Sequence, residues 1–285
     1  MTIDTVTGAT MKGDERQAAL RANIETYERF DERAYVNGAP HLKHPSIGRR
    51  YDQLVDAAIK SIGSEPAVIT VLELGAGNGL ASKAWFERGV QLTAVDSSRS
   101  MLNDLKSKAA AHGVAPNTVV ADVLDYLAAT SMKFDIVTHV SMLHHIPDYL
   151  DLLARSAAHV NANGCLLTFQ DPLRYDRMPG AHHVIDRGSY FAWRITQGNL
   201  KRGLKTRWRR LRGVYSPAET VDFDEYHVVR NGVDSEAIMA LLAPSFSKVE
   251  VVTYWSTYNR GLQWIGERMG LASSFGILSS GRKPS

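Results

Sequence analysis

The sequence has little cysteine, no long apolar run and little net charge, and these features limit the classes of protein to which it can belong. It contains one cysteine, Cys165, which excludes an internal disulfide and fits a reducing compartment. No apolar run approaches the about eighteen residues of a membrane span, and no leader-like apolar run follows Met1. The net charge of +3 is too small to indicate a nucleic-acid partner by itself. We therefore expect a soluble, cytoplasmic, globular protein.

An apolar run that ends in three alternating glycines is the most informative stretch present. It reads Val71-Leu72-Glu73-Leu74-Gly75-Ala76-Gly77-Asn78-Gly79. The apolar part is typical of a strand buried on both faces, and the glycines allow a tight turn that a ligand can approach closely. We expect a helix over Leu80–Arg88, with its first N–H groups facing the loop. A strand, glycine loop and helix in this order are typical of a small-cofactor site.

Strand and helix patterns alternate through most of the chain. The apolar runs that predict strands are residues 68–74, 90–95, 118–121, 134–140, 165–169, 248–255 and 275–278. Because helical patterns separate them, we expect one α/β domain with a parallel, doubly wound sheet. We assign its core to residues 46–171 and 233–281 and an N-terminal helical lid to residues 14–45. Residues 172–232 hold no convincing core strand and are interpreted as an inserted, cap-like segment.

The spacing of the glycines separates two cofactor classes. A dinucleotide site has the pattern G-x-G-x-x-G/A, but Leu80 stands where that pattern needs its last small residue. The spacing G-x-G-x-G preceded by Glu73 instead resembles the class I S-adenosylmethionine-dependent methyltransferases.

The resemblance covers residues 68–171 and resumes over 249–278. It includes Asp96 at the end of the second strand, Ala121-Asp122 at the end of the third, and the run from Phe134 to Pro147. It implies a Rossmann-like, mostly parallel, seven-stranded sheet with an antiparallel last strand. It also implies S-adenosyl-L-methionine as the cofactor.

The cofactor-binding residues that the resemblance implies lie on the glycine loop and at strand ends. They are Glu73, Gly75, Ala76, Gly77, Asp96, Ser97, Asp122, Val123 and His139. Paired carboxylate oxygens suit Asp96 to the two ribose hydroxyls, and Asp122 would accept from the adenine amino group. Glu73 would orient the loop or hold the methionine ammonium, to which His139 or Val140 would offer a main-chain carbonyl. The alternatives for both aspartates are helix capping and a solvated loop end.

Two histidines after the fourth strand are the candidates for catalysis. His144 and His145 would lie beside the transferred methyl group, and an ordinary histidine titrates near pH 6.5, which suits a general base. Alternatively, a histidine in Leu-His-His-Ile-Pro caps the next helix or lines the pocket. No metal site is predicted, because adjacent histidines such as His182-His183 lack metal-ligand spacing.

A basic segment within residues 200–215 is the clearest clue to the acceptor. Seven positive charges lie between Lys201 and Arg212, and apolar residues recur every three or four positions, as in an amphipathic helix. The charges are interpreted either as a solvated face over the pocket or as a contact with a partner. The partner would be an acidic or phosphorylated acceptor, or a membrane surface that carries a lipid-like acceptor. RNA is least favoured, because no nucleic-acid motif accompanies the patch.

These patterns predict a methyltransferase that acts on a small-molecule acceptor. We expect O- or N-methylation of a secondary metabolite or lipid-like compound. Two other classes stay open: an NAD-dependent oxidoreductase, which Leu80 and the lack of a Tyr-x-x-x-Lys pairing argue against, and a non-catalytic S-adenosylmethionine-binding protein.

Overall fold

The computed structural model describes residues 32–63, 67–146, 148–178 and 232–284, together with positions 180, 182, 185 and 188. The first part of the expected lid and most of the inserted segment, including 200–215, lie outside these residues.

Seven strands form one sheet within the described residues. They are β1 Thr70–Leu74, β2 Gln91–Asp96, β3 Asn117–Val120, β4 Phe134–Val140, β5 Val160–Pro172, β6 Phe246–Tyr254 and β7 Ser274–Arg282. Their order is β3-β2-β1-β4-β5-β7-β6. Strand β7 runs antiparallel to both β5 and β6, whereas the neighbours from β3 to β5 are parallel. The predicted doubly wound, seven-stranded sheet with an antiparallel last strand is confirmed.

Helices cover both faces of this sheet. They are α1 Glu32–Gly38, α2 Pro40–Lys43, α3 Pro45–Ile62, α4 Lys83–Phe86, α5 Arg99–Ala111, α6 Val123–Ala129, α7 Tyr149–Ala158, α8 Ser235–Leu242 and α9 Arg260–Arg268. Helices α3 and α5 contribute to the apolar cluster on one face, and α6, α7 and α8 contribute to the cluster on the other. Each face has its own apolar cluster, so the central strands are buried from both sides.

Burial explains the apolar composition of the central strands. Val71, Leu72 and Leu74 of β1 are completely buried, as the sequence run predicts. Cys165 of β5 is also buried, and burial raises the pKa of its thiol to about 12. The thiol therefore has no thiolate character near neutral pH.

Strand β5 begins earlier than the sequence pattern predicts. The sequence pattern predicts a strand over residues 165–169, but the strand starts at Val160 and runs through the turn-forming residues Asn163 and Gly164. A register irregularity in the pairing with β4 and a positive φ of 63° at Asn163 accommodate this extension. The bulge explains why turn-forming residues occur inside a strand.

The predicted extent of the helix over Leu80–Arg88 is wrong. Only Lys83–Phe86 is helical, and turns occupy the residues on either side. Gly79 has a φ of 78°, outside the helical region, and the hydroxyl of Ser82 turns inward to the carboxyl of Glu73. The glycine loop therefore offers its own backbone N–H groups rather than the start of a long helix.

The fold brings the site residues to one edge of the sheet. Loops that follow parallel strands meet at the carboxyl edge, and the ends of β1, β2, β3 and β4 with the loops after them carry the residues singled out by sequence. Across the described ranges, none of the helices combines the length and apolar character needed to cross a bilayer.

Candidate active site

A small cleft lies over the carboxyl end of β1. Its lining residues come from the glycine loop, β4 and helix α2: His41, Leu42, Glu73, Gly75, Ala76, Gly77, Asn78, Leu80, Ala81 and Val140. The cleft therefore brings together Glu73 and three residues of the glycine loop, all expected at a cofactor site.

Backbone hydrogen bonds hold the glycine loop against the end of β2. The N–H of Gly75 donates to the carbonyl of Val95 at 2.8 Å, and the N–H of Gly77 donates to Asp96 Oδ2 at 2.8 Å. Gly75 has a φ of 71°, and a Cβ there would lie 2.6 Å from Met142 Sδ. Only glycine satisfies both constraints, so the loop shape is specified by the sequence.

Asp96 is tied to the loop as well as to its own turn. Its Oδ1 accepts a hydrogen bond from the N–H of Ser98 at 2.8 Å. Burial raises the pKa of Asp96, and backbone N–H groups, including that of Ser97, oppose the rise. The carboxylate is thus fixed in orientation at the margin of the cleft, where the ribose contact is predicted.

Glu73 is a buried acid beneath the cleft. It accepts a hydrogen bond from Ser82 Oγ. Burial, and to a lesser degree the nearby charge of Asp96, raises the pKa of Glu73 to about 7, although Ser82 opposes the rise. A cation placed over the loop would favour the ionised form of Glu73.

Asp122 caps helix α6. Its Oδ1 accepts hydrogen bonds from the N–H groups of Leu124 at 2.9 Å and Asp125 at 3.2 Å. Val123 is the first residue of that helix and is buried. The capping role left open by the sequence is therefore present, and the adenine contact of both residues stays a prediction.

The side chain of His139 does not line the cleft. Its Nε2 lies 3.1 Å from Ser156 Oγ of helix α7, and burial lowers the pKa of the ring to about 3. The next residue along β4, Val140, lines the cleft instead. A contact from His139 to the cofactor would have to use its main chain, as predicted.

His144 lies in a short 3-10 turn after β4 and pairs with a buried carboxyl group. Its Nδ1 is 2.8 Å from Asp171 Oδ1, and its backbone N–H donates to the same oxygen at 3.2 Å. The ring nitrogen and the backbone N–H thus share one carboxyl oxygen, which restrains the ring. The ring of His145 packs against it at an interplanar angle of 43°, with 4.1 Å between the ring centroids.

Burial sets the protonation of this pair. It lowers the pKa of His144 to about 3, with a smaller effect from His41, and it raises the pKa of Asp171 to about 8. Burial and the neighbouring ring also lower the pKa of His145. Near pH 7 the two imidazoles are therefore uncharged while Asp171 still holds its proton, so the pair of His144 and Asp171 becomes a free base only above about pH 8.

A bulge in β5 accompanies the position of Asp171. The pairing of β5 with β7 shifts register between Phe169 and Asp171, and the intervening Gln170 has a φ of 66°. Side chains of Gln170, Tyr254 and Ser256 hydrogen-bond around this point. The bulge changes the strict alternation that would place Asp171 on the same face as Phe169.

Sequence reasoning missed Asp171 and His41. Asp171 ends a predicted strand, as Asp96 does, and this position was the available signal. His41 lies on α2 and lines the cleft, with the pKa of its ring lowered to about 4 by burial. Its Nδ1 has no hydrogen-bond partner among the described residues. Within the same ranges no group of three metal-binding side chains occurs.

Comparison with known proteins assigns the central segment to a family. Residues 71–164 match the model of a methyltransferase domain. Together with the strand order, this defines the class: the segment is a methyltransferase domain, and the sheet is that of the class I S-adenosylmethionine-dependent methyltransferases. The predictions of family and fold are confirmed.

The individual similarities are partial in sequence and nearly complete in fold. Over 100 residues the chain is 33% identical to the ubiquinone biosynthesis O-methyltransferase of Haemophilus ducreyi, which covers 34% of this chain and 42% of that protein. Over 131 residues it is 32% identical to the enzyme of the same name from Xanthomonas axonopodis pv. citri, with coverages of 46% and 53%. The chain thus spans about half the length of the curated relatives it matches.

Two solved structures share the fold across more than nine-tenths of the chain. The N-methyltransferase NodS from Bradyrhizobium japonicum, in complex with S-adenosyl-L-homocysteine, has a TM-score of 0.53 at 14% identity and coverages of 93% and 100%. The plantazolicin methyltransferase BpumL, also in complex with SAH, has a TM-score of 0.52 at 13% identity and coverages of 94% and 98%. At these identities the likeness concerns the fold.

Proposed function

We propose that this protein is an S-adenosylmethionine-dependent methyltransferase that methylates an oxygen atom of a small molecule. The observation that carries the proposal is the His144–Asp171 pair at the same sheet edge as the glycine-loop cleft. The names of the O-methyltransferase relatives support the same reaction.

The cofactor would lie along the glycine loop. Gly75 to Gly77 would pass beneath its methionine part, Glu73 would balance its positive charge, and Asp96 with Ser97 would hold the ribose. Asp122 and Val123 would flank the adenine. When bound, S-adenosylmethionine supplies a methyl group on a sulfonium, which is already activated for transfer.

The class of acceptor can be inferred from whether its methylation needs a base. A neutral amine attacks without first losing a proton, whereas a hydroxyl becomes a strong nucleophile only as its proton leaves. A phenolic hydroxyl, with a pKa near 10, is the acceptor class best matched to a base of this kind. Nitrogen acceptors remain the alternative that the N-methyltransferase NodS illustrates for its fold.

The pair would work as an oriented base. With a proton on Nδ1 directed at Asp171, the lone pair of His144 lies on Nε2. As the new oxygen–methyl bond forms and the sulfur–methyl bond breaks, the hydroxyl proton moves to Nε2, and the leaving sulfur keeps the bonding electrons. Asp171 would stabilise the resulting imidazolium, because a proton accepted by the pair is shared across a 2.8 Å contact.

Calorimetric titration with S-adenosylhomocysteine tests the cofactor assignment. We expect binding to wild type and at least a tenfold loss in Asp96→Ala, because a charge-assisted pair of hydrogen bonds is removed. Asp104→Ala, at an exposed position of α5, is the matched control and should bind normally. Binding of NADH without binding of S-adenosylhomocysteine would refute the proposal.

Turnover with a labelled methyl donor tests the reaction. Phenolic and amine acceptor pools are offered separately, and the label should appear on phenolic oxygen. His144→Ala should lower the rate by about 10²-fold or more while leaving cofactor binding intact. Label on amines alone would exclude the oxygen acceptor and leave the cofactor assignment standing.

A further inference from the structure

Helix α9, Arg260–Arg268, is attached to the domain through polar and small residues. The buried Gln263 donates to the carbonyl of Trp255 at 2.8 Å and accepts from the N–H of Thr257 at 3.0 Å. Gly266 packs directly against the indole of Trp255, where a Cβ would lie 2.4 Å from the ring. The side of this helix that faces the domain therefore presents the amide of Gln263 and the backbone of Gly266.

The outer side of the helix is apolar. Trp264 is 59% exposed, Ile265 is 45% exposed, and Met269, which follows the helix, is 61% exposed. These are half of the large hydrophobic residues that are exposed in the described part of the chain. A surface helix normally buries such residues, so this arrangement is the reverse of the usual one.

The charges around these side chains are positive. Arg268 stacks on the Trp264 ring, with its Cζ 5.0 Å from the centroid, and Arg260 is exposed at the start of the helix. Burial, and then the charge of Arg260, lowers the pKa of the neighbouring Lys43. The acid of the helix, Glu267, is turned inward and accepts a hydrogen bond from Gln263 at 2.8 Å.

This helix lies at the edge of the sheet that holds the cleft. Strand β6 is antiparallel to β7, which is antiparallel to β5, so β6 runs parallel to the central strands. Helix α9 follows the carboxyl end of β6. His44 Nε2 lies 2.6 Å from the carbonyl of Thr257 in the connecting loop, and His41, on the same short segment as His44, lines the cleft.

We propose that Trp264, Ile265, Arg268 and Met269, with Arg260, form a docking surface for an anionic lipid bilayer. A bilayer interface accepts both components of this surface: tryptophan and aliphatic side chains enter the headgroup region, while arginines meet the phosphates. Docking would place the cleft near the bilayer, which suits a lipid-like acceptor. That positional consequence rests on the proposed function, whereas the binding surface itself does not.

Co-sedimentation with vesicles tests the surface. The vesicles contain equal parts of phosphatidylglycerol and phosphatidylcholine, and vesicles of phosphatidylcholine alone are the comparison. Trp264→Ser/Met269→Ser should weaken binding to the anionic vesicles about tenfold or more, because apolar area inserted at the interface is lost. The matched control Val68→Ser/Met132→Ser removes two side chains that are 53% and 55% exposed. They precede β1 and β4, at the amino ends of the strands, so this variant should bind as wild type does.

Charge reversal gives a second, independent measurement. Arg260→Glu/Arg268→Glu should also reduce binding, by at least about fivefold for each arginine, and added salt should weaken binding by wild type. Absence of wild-type binding to anionic vesicles, or equal losses in the two serine pairs, would overturn the proposal. So would a dimer of wild type, measured by light scattering, that Trp264→Ser/Met269→Ser dissociates. Binding of S-adenosylhomocysteine to the same variants reports separately on the proposed function.

Discussion

Two buried carboxyl groups, Glu73 and Asp171, frame the candidate site at the residue scale. Burial raises the pKa of both, to about 7 and about 8, so each holds its proton to an unusually high pH. Glu73 lies under the glycine loop, and Asp171 lies against His144. The two acids therefore predict different pH dependences, one for stability and one for turnover.

Turnover should rise with pH until the pair of His144 and Asp171 has lost its shared proton. Below about pH 8 the pair is protonated and cannot accept the proton of the acceptor, and above it the base is available. Asp171→Asn should lower kcat by about 10²-fold and abolish this rise, because the asparagine cannot stabilise an imidazolium. The measurement is the pH profile of kcat for both proteins.

Asp151→Asn is the matched control for that substitution. Asp151 is half-exposed and pairs with Arg155 on the same helix. It should keep the wild-type profile. An unchanged profile in Asp171→Asn would show that Asp171 has a structural role only.

Glu73→Gln should stabilise the ligand-free protein at neutral and alkaline pH. A raised pKa means that the protonated carboxyl stabilises the fold fully below pH 4.5 and that this contribution is lost as pH rises through about 7. Glutamine removes the cost of ionising a buried group, which we expect to be about 1–3 kcal/mol at pH 8. Thermal unfolding at pH 5 and pH 8 measures it.

The same substitution should weaken binding of S-adenosylmethionine, since the cation loses its buried partner. Glu87→Gln, at an exposed position that pairs with Lys83, is the control and should change neither property. Lower stability of Glu73→Gln at pH 8 would contradict the assigned ionisation.

At the scale of single elements, the close packing of Gly266 on Trp255 adds to the hydrogen bonds of Gln263 in holding helix α9 on the domain. Gly266→Ala would place a Cβ 2.4 Å from the Trp255 indole, which is fully buried, so we expect a loss of about 1–3 kcal/mol in the free energy of unfolding. Gly261→Ala, in the same helix, meets only Asn259 Oδ1 at 3.4 Å. It should be neutral or slightly stabilising because alanine favours helix. Urea unfolding of both variants distinguishes packing from helix propensity.

Elements whose boundaries are marked by local chemistry could be predicted from sequence. Strand β4 has the predicted bounds, 134–140, and the side chain of Asp234 marks the start of helix α8 by capping its first turn. The extent of the helix predicted over Leu80–Arg88 could not be predicted, because Ser82 turns inward to hydrogen-bond Glu73, nine residues earlier in the chain. Helix periodicity contains no information on such contacts.

Some residues of the candidate site could likewise be predicted from sequence, and others could not. The glycine loop and the strand-end acids are consecutive patterns, so sequence placed Glu73, Gly75 and Asp96 at one edge. The partner of His144 was not predictable, because Asp171 comes from another strand and its position accompanies a bulge at Gln170. Spacing along the chain does not encode that pairing.

For the whole molecule, β7 joins the two parts of the sheet. It pairs with β5 on one side and β6 on the other, and its Ile277 is completely buried. Ile277→Ala should therefore cost about 2–4 kcal/mol and lower the stability of the sheet as one unit. Hydrogen exchange should speed up in β1 and β6 alike, whereas the control Val68→Ala, at an exposed position, should change neither. Faster exchange confined to β6 would show that the sheet unfolds in parts.

The place of β7 also orders the events of synthesis. A ribosome delivers β1 to β5 first and β6 next, but among the strands of the described residues β6 pairs only with β7, which is made after it. The edge of β5 that includes Leu167 and Phe169 stays open on the nascent chain until residues 274–282 emerge. During that interval the unpaired edge can recruit another growing chain. The step that closes the sheet is thus the step at which a chaperone would protect this protein most.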